Sequence, residues 1–216
     1  MAQVETRVLG HVRQDGSDKP LALDGQNNTL VSGGMPWYAE VARKGNCYSV
    51  IATDAIAGLV VRPDTVAALT LWNGEPAGSK RCYIVDRLFS HCLVSGNEEG
   101  RFMIWACIHP AGKGAVTSEL APAATNFTGS FGKTYNGRAI VELGATVADN
   151  GWFPWGYSTD YEKTGVLPGS AVSVDVAGRL IIPPTGAISL HVVSSINDAT
   201  FCSGLSWYEE ELTLGV

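Results

Sequence analysis

"SKRCYIVDRLFSHCLVSGNEEGRFMIWACIHP" (79–110) holds two long apolar runs around one polar break. Residues 79–95 read as a strand, "NEEG" (97–100) as its turn, and 100–110 as the return strand closed by Pro110. If the turn centres between Asn97 and Glu98, Leu88 faces Cys107, Asp86 faces His109 and Cys92 faces Met103. One face then carries Cys82, Ile84, Asp86, Leu88, Cys92, Met103, Trp105, Cys107 and His109. The other carries Tyr83, Val85, Arg87, Phe89, His91, Leu93, Phe102, Ile104, Ala106 and Ile108. Both faces are mostly apolar, so both must be covered. One cover is a second sheet; the other is an arm, a loop or a second subunit.

The chain on either side has the same texture. "AALTLWNG" (67–74) reads as a strand ending in an Asn-Gly turn, and "NGRAIVELG" (136–144) alternates weakly. "AVSVDVAG" (171–178) alternates cleanly and ends at Gly178. "RLIIPPTGAISLHVVSS" (179–195) reads as two strands joined by a tight Pro-Pro-Thr-Gly hairpin, Gly supplying the special turn angle. "GLSWYEEELTL" (204–214) is the last strand. About eight or nine strands at this rhythm, with no convincing amphipathic helix, predict an all-β chain. The expected architecture is an antiparallel, jelly-roll-like β-sandwich over 46–216. Residues 1–45 are rich in turn formers and read as an extended N-terminal arm.

Composition narrows the function. Hydrophobic residues make up 45% of the 216 and charged residues only 17%, against about a quarter in a typical soluble domain. Such a surface fits cover by other subunits, or a large sandwich clothed in Ser, Thr, Asn and Gly. A net charge of −6 without a basic stripe speaks against nucleic acid as partner. No window of about 18 apolar residues or polybasic cluster points to a membrane. The opening "MAQVETRVLGHVRQDG" lacks an apolar signal core, so synthesis and retention in a cytoplasm are expected. Five cysteines in apolar runs, none in a CxxC pair, read as buried free thiols.

Candidate chemistry is thin. Cys82, Cys92, Cys107 and His109 share a predicted face, but their spacing lacks the close ligand pairs of zinc sites. Asp86 opposite His109 would need a serine to make an acyl-transfer set, and no nucleophile elbow is present. A cross-strand polar pair is the preferred reading. "SGG" (32–34) and "AGKG" (111–114) lack the strand-to-helix frame of phosphate loops, and "EEE" (209–211) lacks a calcium frame. The expectation is a non-enzymatic protein with no cofactor and no metal.

"DNGWFPWGYSTDY" (149–161) is the densest aromatic stretch. Its rings are a sugar platform, a contact with another chain, or a plug over the protein's own core. Gly at both ends of "GWFPWG" and Pro within it read as a rigid, shaped loop. Trp37, Tyr38, Trp152, Phe153, Trp155 and Tyr157 are the candidate interface or ligand contacts, since Trp and Tyr are enriched at interfaces.

Taken together, "LTLWNG", "YIVDRLFSHCLVS", "RFMIWACIHP" and "GRLIIPPTGAISLHVV" resemble β-sandwich virion proteins of bacteriophages: decoration, head-fibre and minor capsid components. The ending "IIPPTGAISLHV" is similar to the Pro/Gly-turn endings of trimeric jelly rolls. The resemblance covers about 57–214 and is one of pattern. It implies a homo-oligomer, a trimer above all, attached to other proteins of a virion and made in the host cytoplasm. It carries no active site. The alternative is a carbohydrate-binding β-sandwich that stacks the same Trp and Tyr on sugars.

Overall fold

A computed structural model describes residues 41–42, 44–95, 98–111, 137–156, 158–161 and 170–212. The chain divides between Glu40 and Val41 into two units, and the first lies outside the described residues. All named elements are strands: β1 (Cys47–Ile51), β2 (Ile56–Ala57), β3 (Leu69–Asn73), β4 (Arg81–Val94), β5 (Gly100–His109), β6 (Ala139–Leu143), β7 (Phe153–Pro154), β8 (Thr159–Tyr161), β9 (Ala171–Ile182), β10 (Ala187–Ser194) and β11 (Thr200–Glu211).

They form two antiparallel sheets. The first runs β1-β11-β4-β9, with β2 on β11; the second runs β6-β3-β10-β5-β7, with β8 on β5. The ladders are nested: β1 pairs with β11, β3 with β10, β4 with β9, and β5 with β7 and β8. One long folded ribbon rolled on itself gives this order, which is the jelly roll. β6 is an added edge strand beside β3.

Two expected hairpins are therefore arches. β4 lies between β11 and β9, while β5 lies between β10 and β7 in the other sheet. Leu88 faces Leu205 and Val174, Cys107 faces Ser189, and Cys92 faces Phe201. Each strand sits inside its own sheet, paired along both edges, and a short polar break bridges two sheets as readily as it closes one ladder. The same holds for β9 and β10. Gly186 N bonds Pro183 O at 2.9 Å, so the turn is tight, yet it joins different sheets. Its left-handed residue is Thr185 (φ 64), whereas Gly186 is needed because a Cβ would crowd Pro183 and His109 O.

The face assignment also changes along β4. Tyr83, Val85, Leu88 and Cys92 all point into the main core. A bulge lets this happen: the register shifts between Val85 and Arg87, leaving Asp86 as the extra residue. Opposite it, β9 bulges too, with Ala177 (φ 51) and Gly178 (φ 76) left-handed. The break expected at Gly178 is thus a kink within one strand. β5 keeps its expected alternation, with Phe102, Ile104 and Ala106 inward.

The core between the sheets is aromatic at its centre. Phe102 of one sheet meets Phe201 of the other at 5.0 Å, and Trp207 lies 5.8 Å from Tyr48. At one end, Asn73 Nδ2 donates to Arg81 O (3.0 Å) and Ile182 O (3.1 Å), tying β3 to the opposite sheet.

Candidate functional site

The outer face of the second sheet carries the polar residues that position a site. Thr70 lies opposite Ser189, and Ser189 opposite Cys107, across three adjacent strands. Small residues at these crossings leave room for a covering segment. Thr70, Ser189, Cys107 and His109 are all fully buried. Buried polar groups need partners, and these have them. Thr70 Oγ1 lies 2.8 Å from Ser189 Oγ, Ser189 Oγ lies 2.8 Å from His109 Nε2, and His109 Nδ1 lies 2.8 Å from Asn150 Nδ2. With the Asn150 amide donating to Nδ1, the ring proton sits on Nε2 and passes to Ser189, whose own proton passes to Thr70. Burial lowers the pKa of His109, so the neutral ring is the resting form. Burial pushes the Cys107 thiol up, opposed by the backbone N–H of Asn150.

A serine, an imidazole and an orienting amide in a row are the parts of an acyl-transfer set. Here the hydroxyl is spent on Thr70 and lies under a covered sheet face, so the relay holds structure together. Asp86, expected opposite His109, is on the other sheet, where Ser206 Oγ donates to it at 3.4 Å. Cys82 and Cys92 are likewise on the first sheet, apart from Cys107 and His109. Among the described residues no group of three or more His, Cys, Asp or Glu is placed to hold a metal ion.

The cover is the segment 144–152, laced to the segment 62–68. Ala67 N bonds Ala145 O (2.9 Å), and Val147 N bonds Thr65 O (2.8 Å). Trp152 Nε1 donates to Asp64 O at 2.7 Å. Arg62 grips Asp149 with two bonds, of 2.7 and 2.9 Å, and holds its carboxyl down at about 2. Asp149 also accepts the N–H of Gly151, which is left-handed (φ 100). Val60, Val61 and Val66, in and beside this laced segment, are exposed at 54%, 64% and 46%.

The predicted contact residues separate. Trp152 is only 4% exposed and packs on Ala67 and Cys107 of its own chain. Phe153 and Trp155 are half-buried, 5.5 Å apart, and packed against the main core. The Arg179 guanidinium sits 5.3 Å above the Trp155 ring. Tyr157, Trp37 and Tyr38 lie outside the described residues. Sequence reasoning missed the relay and the Arg62–Asp149 clamp. His109 and Ser189 are 80 positions apart, Arg62 and Asp149 are 87 apart, and no local spacing announces them. The exposed valines had a visible signal in "LVV" (59–61), three consecutive apolar residues with no alternation, next to "RPDT".

The nested ladders define the class: a jelly-roll β-sandwich with one sheet face covered by its own chain. No protein-family model matches the chain, and no curated protein matches it. Among solved structures, it is similar to a chain of the heated full particle of Israeli acute paralysis virus, with 11% identity and a TM-score of 0.31, over 100% of this chain and 90% of that one. It is similar to a chain of Mud Crab Dicistrovirus with 12% identity and a TM-score of 0.25, over 100% of this chain and 89% of that one. Both are virus particles, and neither is described as a bacteriophage. The jelly-roll assignment rests on the strand pairing alone.

Proposed function

We propose that this chain is a virion structural protein that works by associating with copies of itself and with other particle proteins. The observation that carries the reading is the exposure of Val60, Val61 and Val66, which lie in and beside a segment held by backbone hydrogen bonds and the Arg62–Asp149 ion pair. Exposed apolar side chains are what a contact surface needs, and the low charge of the chain agrees. The finer reading rests on the sequence resemblance: a decoration or minor capsid component of a bacteriophage particle, a homotrimer, non-enzymatic, and made in the host cytoplasm. The 1–45 arm, with Trp37 and Tyr38, and Phe153, Trp155 and Tyr157 stay contact candidates; Trp152 serves the chain's own fold.

Joint replacement of Val60 and Val61 by Asp tests these valines. It should lower the solution mass by light scattering while circular dichroism stays that of a β-sandwich. An unchanged oligomer would remove them as the contact. The carbohydrate-binding alternative needs exposed rings, but Trp152 is buried and one face of Trp155 holds Arg179. Binding on a glycan array by the intact fold would favour that alternative.

A further inference from the structure

The relay on the outer face of the second sheet does more than fill space. Cys107 and His109 are alternate residues of β5, and both hold Asn150: the thiol through its backbone N–H, the imidazole through its side chain. Asn150 is therefore the point at which β5 holds the covering segment, in addition to the bonds that lace it to 62–68. We propose that the His109–Asn150 bond is a proton-operated latch, and that a proton taken up by the imidazole releases residues 145–152 from the sheet.

The geometry gives the reason. In the neutral ring Nδ1 accepts from the Asn150 amide and Nε2 donates to Ser189. A proton from solvent added at Nδ1 sets an N–H against the amide N–H2. Turning the amide over presents its oxygen, but an unbalanced cation then remains on a fully buried ring, which is costly. Among the described residues the surroundings supply no counter-charge. β10 presents Ser189 and β3 presents Thr70, both neutral. β5 itself adds the Cys107 thiol, kept neutral by burial. From the cover, Asp149 is already balanced by Arg62. Burial holds the folded-state pKa of His109 below that of a free ring. The closed cover therefore binds fewer protons than the open one, and its stability is present at neutral pH and lost as pH falls below the free-ring value.

An opened ring titrating near about 6.5 makes the open form about tenfold more populated at about pH 5.5 than at about pH 7.5. The test is labelling of the intact chain with 4,4′-dithiodipyridine, which reacts at acid pH, mapped cysteine by cysteine. Cys107 lies under the cover and Cys82 lies on the other sheet, so Cys82 is the reference. The Cys107-to-Cys82 rate ratio should rise about tenfold between those two pH values. His109→Gln should remove the rise. Asn150→Asp, which places a carboxylate against Nδ1, should remove it as well, and this variant decides the matter if His109→Gln does not fold. A ratio that stays flat in the wild type, or a rise that survives both substitutions, overturns the latch.

Discussion

Asn73 joins the two sheets through one side chain. Its amide N–H2 reaches Arg81 O and Ile182 O, and its oxygen accepts Glu75 N at 3.1 Å. Asn73→Ala strips donors from two inward-facing carbonyls and should cost about 2–4 kcal/mol, read as a lower urea midpoint. A loss under about 0.5 kcal/mol would mean that other groups tie the sheets together. Asp149 makes a pH prediction. Its carboxyl is held down at about 2 by Arg62 and the Gly151 N–H. Its clamp therefore contributes fully above the free carboxyl range and is lost progressively as pH falls from that range through about 2. In a pH titration of backbone exchange at 145–152, the intact chain should lose protection between about pH 4 and about pH 2, whereas the Arg62→Ala chain should start less protected and change less over that window. Identical profiles in the two chains would contradict the clamp.

At the scale of elements, the strands were legible and their partners were not. β5 alternates inward and outward as its residues announce, because nothing interrupts its period of two. β4 does not, because the bulge at Asp86 turns its face by one residue, and an aspartate between Val85 and Arg87 gives no local sign of that. The turns after β4 and β9 carry the right residues but arch between sheets, since pairing depends on strands remote in sequence. In the aromatic stretch, Trp152 was visible as a large ring; that it plugs its own sheet depends on Cys107 and Ala67, which are distant in sequence. β9 also shows how an open edge is guarded. Arg179 Nε donates to Val176 O (2.9 Å) and Nη2 donates to Asp175 O (3.0 Å), so its guanidinium fills the bulge of this strand with charge, which disfavours a foreign strand there. Arg179→Ala should raise turbidity and the aggregate fraction in sedimentation at unchanged secondary structure. An equally soluble variant would show that the edge is protected in another way.

For the molecule as a whole, rolling the ribbon gives every strand of the main core a partner remote in sequence, and the two sheets close over one core. What the fold leaves outside is sparse in charge, and it carries valines in and beside a laced segment. Stable contact between subunits buries on the order of 1,600 Å² or more, so the valines supply only part of the proposed interface, with the arm and the Phe153–Trp155 pair as its proposed remainder. That assembly is the central claim, and the solution mass of the purified chain by multi-angle light scattering tests it most directly. The account predicts a fixed multiple of 22.9 kDa, three for the proposed trimer, that holds on dilution. A mass of 22.9 kDa at every concentration would contradict it.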